Sequence, residues 1–513
     1  MNAPIRLGRA FATVGIWTLA SRLLGFARDI MIAGFLGAGP VAEAFLIAFS
    51  LPNMFRRFFA EGAFNMAFVP MFSKKLEAGD DPVTFARDAL AGLASVLIVF
   101  TVLAQIFMPW LVLAMASGFA EDDRFDMAVT FGRIAFPYIL FISLAALLSG
   151  VLNAAGRFVA AAAAPVLLNI LFVGAMALAS WLGWPMGLTL AWTVPLAGIA
   201  QLALVWSAAS RAGFRLIPRL PRMTPDLKRL AIIAAPAALA GGVVQVNLLV
   251  GRQVASFFEG AIAWLNYADR LYQLPLGVVG IAIGVVLLPD LSRKLRADDT
   301  DGGQNALSRA AEVSMALAIP SAVGLLVVPM PIVSALFERG AFGADDTAAT
   351  ALALAIYALG LPAFVLQKVL QPLYFAREDT RSPFRFALVS LVVNAVVAIG
   401  LAPFIGFYAA ALGTTLAAWA MVILLHRGTL HMGRAARFDR RFRIRIWRIA
   451  AASVLMGVGL WGAMILLGPL FGVPGLRYAA LAALIGIGAV IYFGAGGPLG
   501  AFRLSELKSA LRR

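Results

Sequence analysis

The stretch SRLLGFARDIMIAGFLGAGPVAEAFLIAFSLPNMFRRFFAE at residues 21–61 is apolar enough to lie in a membrane, yet it carries Arg22, Arg28, Arg56 and Arg57. An arginine near the middle of a membrane-spanning helix costs about 2.5–3.5 kcal/mol on insertion scales. Several of them together cost on the order of 10 kcal/mol unless they face water, protein or an anionic ligand. The stretch therefore predicts a membrane protein in which charged side chains have a function.

Apolar stretches of this kind recur along the whole chain. Of its 513 residues, 62% are hydrophobic and 13% are charged, which is typical of a protein with many membrane helices. At about 20 residues per span, the sequence predicts an all-α integral membrane protein. The predicted spans, about fourteen, lie near 10–36, 41–72, 83–108, 127–153, 160–182, 188–210, 227–251, 262–291, 307–328, 348–375, 383–402, 405–426, 446–468 and 475–495.

Basic residues are concentrated in alternate connections between these spans, including the linker 211–229 and the run RAARFDRRFRIRIWR at 434–448. Because lysine and arginine gather in cytoplasmic loops, both termini are expected in the cytoplasm. The formal net charge of +16 then requires no nucleic-acid partner. The chain has no cysteine, and GAGP at 37–40 lacks the strand–helix context of a nucleotide motif, so no metal and no cofactor are expected.

An internal repeat divides the chain. PMFSKKL at 70–76 is echoed by PDLSRKL at 289–295, each after the second span of its half. Similar spacing relates Arg28 to Arg252, Pro137 to Pro362 and Asn169 to Asn394. We therefore expect two six-helix lobes in parallel repeat. The predicted divisions are an N-lobe at 1–215, a C-lobe at 216–430, and the last two spans with a basic tail at 431–513.

Polar side chains in the first two spans predict half of an anion site. Ser21 and Arg28 are seven residues apart, as are Arg22 and Asp29, so each pair lies on one helical stripe. The second span adds further polar and charged residues, which include Glu43, Asn53, Arg56, Arg57 and Glu61. The last two have the i,i+4 spacing of an ion pair.

The second half contributes Asp269 and Arg270, about 12 Å of helical rise inside the eighth predicted span. For any single arginine, an arginine–acid pair or a snorkelling side chain is the alternative interpretation. Taken together, however, the acidic residues in these spans are too few to neutralise all of the arginines there. An excess of guanidinium groups predicts an anionic ligand such as a diphosphate, which their planar fork suits.

Four motifs carry a resemblance to a known family: SRLLGFARD at 21–29, AFSLPNMFRRFFAEGAFNMAFVP at 48–70, FPYILFISLAALLSGVLNAAGRF at 136–158 and NYADRLYQLPLGVVGIAIGVVLLP at 266–289. Together they resemble the MurJ, or MviN, family of lipid II flippases in the MOP exporter superfamily. The resemblance implies two lobes around a cationic cavity and a multi-pass protein of the bacterial inner membrane. It also implies that lipid II and membrane lipids are partners, with the cell-wall synthesis machinery as a candidate partner.

Residue by residue, the resemblance places the family's functional arginines at Arg22, Arg28, Arg56 and Arg270. The supporting positions are Ser21, Asp29, Asn53, Arg57 and Glu61, with Asp269 beside Arg270. Glu43 departs from the family pattern, since some relatives carry aspartate there. Some members hold a sodium ion in the second lobe, but Gln245 and Asn247 offer it no carboxylate, so that site is not carried over and a coupling ion is left open.

The expected function is translocation of lipid II to the outer leaflet by alternating access. A flippase of the same fold for another polyprenyl-diphosphate-linked glycan is the alternative, and composition does not separate the two. A membrane glycosyltransferase would need a positioned acid or base near the outer surface, whereas Asp122, Asp123, Asp345 and Asp346 are interpreted as solvated helix ends. The chain is therefore expected to be a transporter and not an enzyme.

Overall fold

The computed structural model describes residues 7–56, 63–217, 219–282, 293, 294, 297, 299–473 and 475–502. Apart from one isolated bridge between Arg339 and Phe342, these residues form helices joined by turns and loops. The predicted all-α class is confirmed. The chain divides into two compact units, residues 1–249 and 250–513.

The first unit contains nine described helices and most of a tenth. They are α1 (Leu7–Leu36), α2 (Pro40–Arg56), α3 (Ala63–Ala78), α4 (Pro82–Ile106), α5 (Met108–Met115), α6 (Asp123–Ala135), α7 (Tyr138–Ala154), α8 (Val159–Leu182), α9 (Met186–Arg211) and α10 (Pro225–Ser256), which continues into the second unit. A short 3-10 helix lies at Ser117–Phe119.

The second unit contains eight further described helices. They are α11 (Ala261–Ala282), α12 (Thr300–Val327), α13 (Pro329–Phe337), α14 (Ala344–Phe375), α15 (Arg381–Ile405), α16 (Tyr408–Thr429), α17 (Arg440–Phe471) and α18 (Leu476–Gly496). A 3-10 helix at Arg434–Ala436 precedes α17.

Most predicted spans coincide with one helix to within a few residues, as α4 does with 83–108 and α8 with 160–182. The span predicted at 41–72 is occupied by α2 and α3, on either side of residues 57–62, which lie outside the described set. Among the described residues, ten segments are long and apolar enough to cross a membrane. The chain is therefore a multi-pass membrane protein, and the count of fourteen stays a prediction.

Four prolines lie inside predicted spans, and one of them coincides with a break between two helices. Pro137 lies between α6 and α7, inside the span predicted at 127–153. A proline favours such a break because it lacks the N–H that would continue the hydrogen bonding of the helix. Pro52, Pro275 and Pro362 instead lie inside α2, α11 and α14. Of these four prolines, only Pro137 divides a predicted span into two described helices.

Two short helices were missed by the sequence analysis. α5 follows α4, α13 follows α12, and both have a proline in the first turn, at Pro109 and Pro329 respectively. Proline is favoured there because first-turn N–H groups have no acceptor within the helix. Each short helix follows the third predicted span of its half, which supports the internal repeat. The divisions at 1–215, 216–430 and 431–513 stay predictions.

The last two helices pack against α12. Tyr492 of α18 donates a hydrogen bond to the carbonyl oxygen of Ala316 at 2.6 Å. Met456 and Leu460 of α17 share a buried apolar cluster with Val328, just after α12. The C-terminal pair is therefore part of the second unit's core.

Ion pairs also attach the start of α17 to α12. Glu312 of α12 is 6% exposed, and it pairs with Arg309 of its own helix and with Arg441 and Arg445 of α17 at 3.4 and 3.2 Å. Arg309 also pairs with Asp439, the residue that caps α17. Part of the basic run at 434–448 therefore neutralises a buried carboxylate.

Close packing of α15 against α16 gives a first testable prediction. A Cβ added at Gly413 would lie 2.7 Å from Asn394 Oδ1 and 2.9 Å from Asn394 O. We expect Gly413→Ala to lower the unfolding temperature of the purified protein in detergent, because overpacking costs about 1–3 kcal/mol. Gly400→Ala in α15 is the control, since nothing lies within 4 Å of its added Cβ. Equal unfolding temperatures for the two variants would contradict this packing.

Candidate functional site

Arg28 is held by contacts from three helices. Its Nε and Nη2 atoms donate to Asp29 Oδ1 at 3.0 and 2.8 Å, and Nη1 donates to Asn169 Oδ1 at 3.1 Å. The guanidinium carbon lies 5.8 Å from the ring centroid of Phe49 and 5.5 Å from that of Phe172. The side chains of Arg28 and Asp29 are 9% and 8% exposed. Charge-assisted hydrogen bonds and aromatic faces thus fix the plane of this buried guanidinium.

Asn169 of α8 connects this group to the preceding turns of α1. Its Nδ2 donates to the carbonyl oxygen of Ser21 at 3.0 Å and to that of Pro165 at 3.2 Å, while Ser21 Oγ lies 3.5 Å away. Ser21, Arg28 and Asp29 are therefore brought together through Asn169. In the sequence, Asn169 is a marker of the repeat, but an amide inside an apolar span is also a signal of a buried polar contact.

The Arg28 guanidinium retains capacity for an anion. An arginine has five N–H donors, and three of those on Arg28 are engaged by Asp29 and Asn169. Two N–H groups are left on a fork whose direction is already set. Such a group can bind a phosphate or carboxylate oxygen while losing little side-chain freedom.

The remaining first-half candidates lie in different surroundings. Arg22 of α1 is exposed, and Arg56 ends α2 with a half-buried side chain. Asn53 donates to a carbonyl one turn earlier in α2 at 2.8 Å, so its amide is engaged by its own helix. Arg57 and Glu61 lie outside the described residues, and their ion pair stays a prediction.

Glu43 has a partner that the sequence analysis missed. The carboxylate of Glu43 is fully buried, and its Oε2 lies 2.8 Å from Arg124 Nη1. Arg124 also pairs with Asp122 at 2.6 Å, and its guanidinium carbon lies 4.3 Å from the ring centroid of Phe119. Hydrogen bonds from Arg124 hold the pKa of the Asp122 carboxyl below its usual range. This ion group joins the N-terminal ends of α2 and α6.

In the second unit, Asp269 and Arg270 lie on α11 with half-buried side chains. Asp269 accepts a hydrogen bond from Gln273, one turn later. The neighbouring Tyr272 is buried, and its ring centroid lies 5.8 Å from that of Tyr357 on α14. Arg270 therefore shares a helix face with Gln273, three residues later, whereas Tyr272 lies on a different face of α11.

Within the described ranges, no group of three or more histidine, cysteine, aspartate or glutamate residues could hold a metal ion. The side chains of Gln245 and Asn247, considered for a sodium site, lie outside the described set. The expectation of no metal and no cofactor stays a prediction.

The family assignment rests on the whole sequence. A family model described as "Lipid II flippase MurJ" matches residues 32–480. The chain belongs to the MurJ family. A relative named "Probable lipid II flippase MurJ" from Rhizobium meliloti (strain 1021) is 44% identical, with 99% of this chain and 96% of the relative covered. The resemblance read from the four motifs is confirmed.

Solved structures extend this result to the MurJ fold. One described as "Lipid II flippase MurJ, inward closed conformation" matches with a TM-score of 0.78 and 25% identity, covering 94% of this chain and 97% of that chain. An inward-facing MATE family transporter of the MOP superfamily matches with a TM-score of 0.66 and 14% identity, covering 86% and 99%. The predicted superfamily fold is confirmed. MurJ proteins are named as flippases, so the chain belongs among transporters and not enzymes.

The buried Glu43–Arg124 pair gives a second prediction. We expect Glu43→Gln to lower the unfolding temperature, because Arg124 then keeps only Asp122, whose side chain is 40% exposed, as a carboxylate partner. The loss should stay below the about 3–5 kcal/mol that an uncompensated buried charge costs. Glu121→Gln is the matched control, since Glu121 is exposed one residue before Asp122. Thermal unfolding in detergent measures both variants. If Glu43→Gln melts with the control, the pair does not stabilise the junction of α2 and α6.

Proposed function

We propose that this chain moves lipid II, the undecaprenyl-diphosphate-linked peptidoglycan precursor, from the cytoplasmic to the periplasmic leaflet by alternating access. Relatives that align over nearly the whole chain carry the lipid II flippase name, which favours this substrate over another polyprenyl-diphosphate-linked glycan. The observation that carries the mechanism is the buried Arg28 guanidinium, which is oriented by Asp29 and Asn169 and retains two N–H donors.

Arg22, Arg28, Arg56 and Arg270 are the proposed ligands of the diphosphate. Each guanidinium offers a planar pair of donors that matches two phosphate oxygens. Asp29 already shares the charge of Arg28, so the bound diphosphate competes with a carboxylate for the same cation. This competition weakens diphosphate binding at Arg28, which favours release on the other side.

The proposed site of action is the bacterial inner membrane, with both termini in the cytoplasm. The basic connections at 211–229 and 434–448 support this orientation, because arginine and lysine are retained on the cytoplasmic side during insertion. In that orientation the cell-wall synthesis machinery, which uses lipid II in the outer leaflet, is the expected partner on the opposite face.

The role of the arginines is tested in cells depleted of their own lipid II flippase. We expect Arg28→Ala and Arg270→Ala to abolish rescue of growth and to leave lipid II in the inner leaflet, because each removes a diphosphate ligand. Arg28→Lys should restore little growth and little translocation, since an ammonium group lacks the planar fork of a guanidinium. Translocation is measured by the accessibility of lipid II to an external probe.

Arg157→Ala is the matched control for these variants, since Arg157 is an exposed arginine between α7 and α8. It should rescue growth fully. Immunoblots of membranes must show equal amounts of all variants. Wild-type translocation by both alanine variants at normal abundance would remove Arg28 and Arg270 from the site.

Substrate identity is tested by complementation in two strains. The wild-type chain should restore growth to cells depleted of a lipid II flippase. It should not restore surface polysaccharide to cells that lack a flippase for another polyprenyl-diphosphate-linked glycan. The reverse result would establish the alternative substrate, and it would leave the MurJ-family fold unaffected.

A further inference from the structure

The linker between α9 and α10 exposes an apolar side chain at every third position. Ile217, Leu220 and Met223 are 67%, 84% and 75% exposed, and all three lie outside any helix. On the membrane helices α8 and α15, Trp181 and Phe404 each reach 81% exposure. The apolar side chains of the linker are thus about as exposed as the most open residues of the membrane helices.

This exposure is not the result of a loosely held segment. Leu216, next to Ile217, is only 2% exposed. Arg87 of α4 donates to the carbonyl oxygen of Arg215 at 2.8 and 3.2 Å, and Arg219 forms an ion pair with Asp88 of the same helix. α4 therefore holds the linker on both sides of Ile217, in a position where the apolar side chains point away from the protein.

The same segment carries a strong positive charge. Its single acid, Asp226, is paired with Lys75 at 3.0 Å, and Arg219 is neutralised by Asp88. The other bases of the linker are exposed, and they are Arg211, Arg215, Arg222, Lys228 and Arg229. The exposed apolar side chains are therefore interleaved with cations that lack a carboxylate partner among the ion pairs of the described residues.

A groove opens beside the linker. It has a volume of about 280 Å³ and is lined by Trp206, Ser210, Arg215, Leu216 and Ile217. Tryptophan is enriched where membrane helices meet the headgroup region, because its ring is apolar and its N–H is polar. The groove combines such an aromatic residue with a hydroxyl group and a cation, which are suitable contacts for a lipid phosphate.

We propose that Arg215, Ile217, Leu220, Arg222 and Met223, here called the linker strip, dock on anionic phospholipids of the adjacent leaflet. The apolar side chains enter the boundary between headgroups and acyl chains, and the arginines bind headgroup phosphates. Anionic lipid is the favoured occupant because it is complementary to both the charge and the apolar side chains, and it surrounds the adjoining spans. The strip thereby fixes the depth of the linker in the membrane surface.

The experiment uses the natural absence of cysteine. Leu220→Cys creates a single site for a nitroxide spin label in the full-length protein, which is reconstituted in vesicles of phosphatidylcholine with or without phosphatidylglycerol. With phosphatidylglycerol, we expect a label that is accessible to oxygen and shielded from a water-soluble nickel complex. Glu77→Cys is the control, since Glu77 is exposed in the last turn of α3, and its label should stay accessible to nickel.

Charge is tested by adding Arg215→Gln and Arg222→Gln to the Leu220→Cys protein. The ratio of immersed to water-exposed label should fall roughly 25-fold, since each base near an anionic surface contributes about fivefold, or ~1 kcal/mol. A nickel-accessible label in both kinds of vesicle overturns the proposal. Immersion that ignores phosphatidylglycerol and the two arginines also overturns it. A label shielded from oxygen and nickel even in detergent shows a protein cover instead, either from this chain or from a second copy.

Discussion

The structure depends on how charged side chains are accommodated among apolar helices. A guanidinium that is almost fully buried must be neutralised and hydrogen-bonded, because an isolated charge is very costly in a medium of low dielectric constant. Arg28 meets this demand with Asp29 and Asn169, and Arg124 meets it with Glu43 and Asp122. Because Asn169 and Glu43 lie on helices other than those of their arginines, the same contacts also fix which helices are neighbours.

These buried groups differ in what they leave available. The guanidinium of Arg124 is shared between two carboxylates and covers an aromatic ring, an arrangement suited to joining helix ends. Arg28 has one carboxylate and one amide and keeps two donors. The contacts of Arg124 therefore stabilise the packing of helices, whereas those of Arg28 leave donors for a transported anion. The two roles differ in contacts and not in residue type.

Several features were accessible from the sequence because they are local. The length of the apolar runs predicted most helices, whereas the break between α6 and α7 inside the span predicted at 127–153 was not predicted. The relation between Ser21 and Arg28 on one helical stripe needs only helical geometry, so it could be predicted from their spacing. The short helices α5 and α13 were missed because apolar residues next to a span resemble a continuation of that span.

The missed partners are those that depend on the tertiary fold. Glu43 and Arg124 are 81 residues apart, and Arg28 and Asn169 are 141 apart. No periodicity in one sequence connects such positions. Arg124 lies just outside the span predicted at 127–153, yet it belongs to the first turn of α6 and is only 7% exposed. The composition shows that basic residues outnumber acidic ones. Only the fold shows which arginines already form ion pairs.

The ion group around Glu312 has a consequence for how the protein is made. Arg309 is synthesised just before this glutamate, whereas Arg445 follows it by 133 residues. At about 5–20 residues per second, the ribosome needs on the order of 10 s to reach Arg445. During that interval α12 must enter the membrane region with an acid that only Arg309 can neutralise. Glu312 therefore gains its remaining arginine partners only when the start of α17 has emerged, and until then Arg309 alone balances its charge.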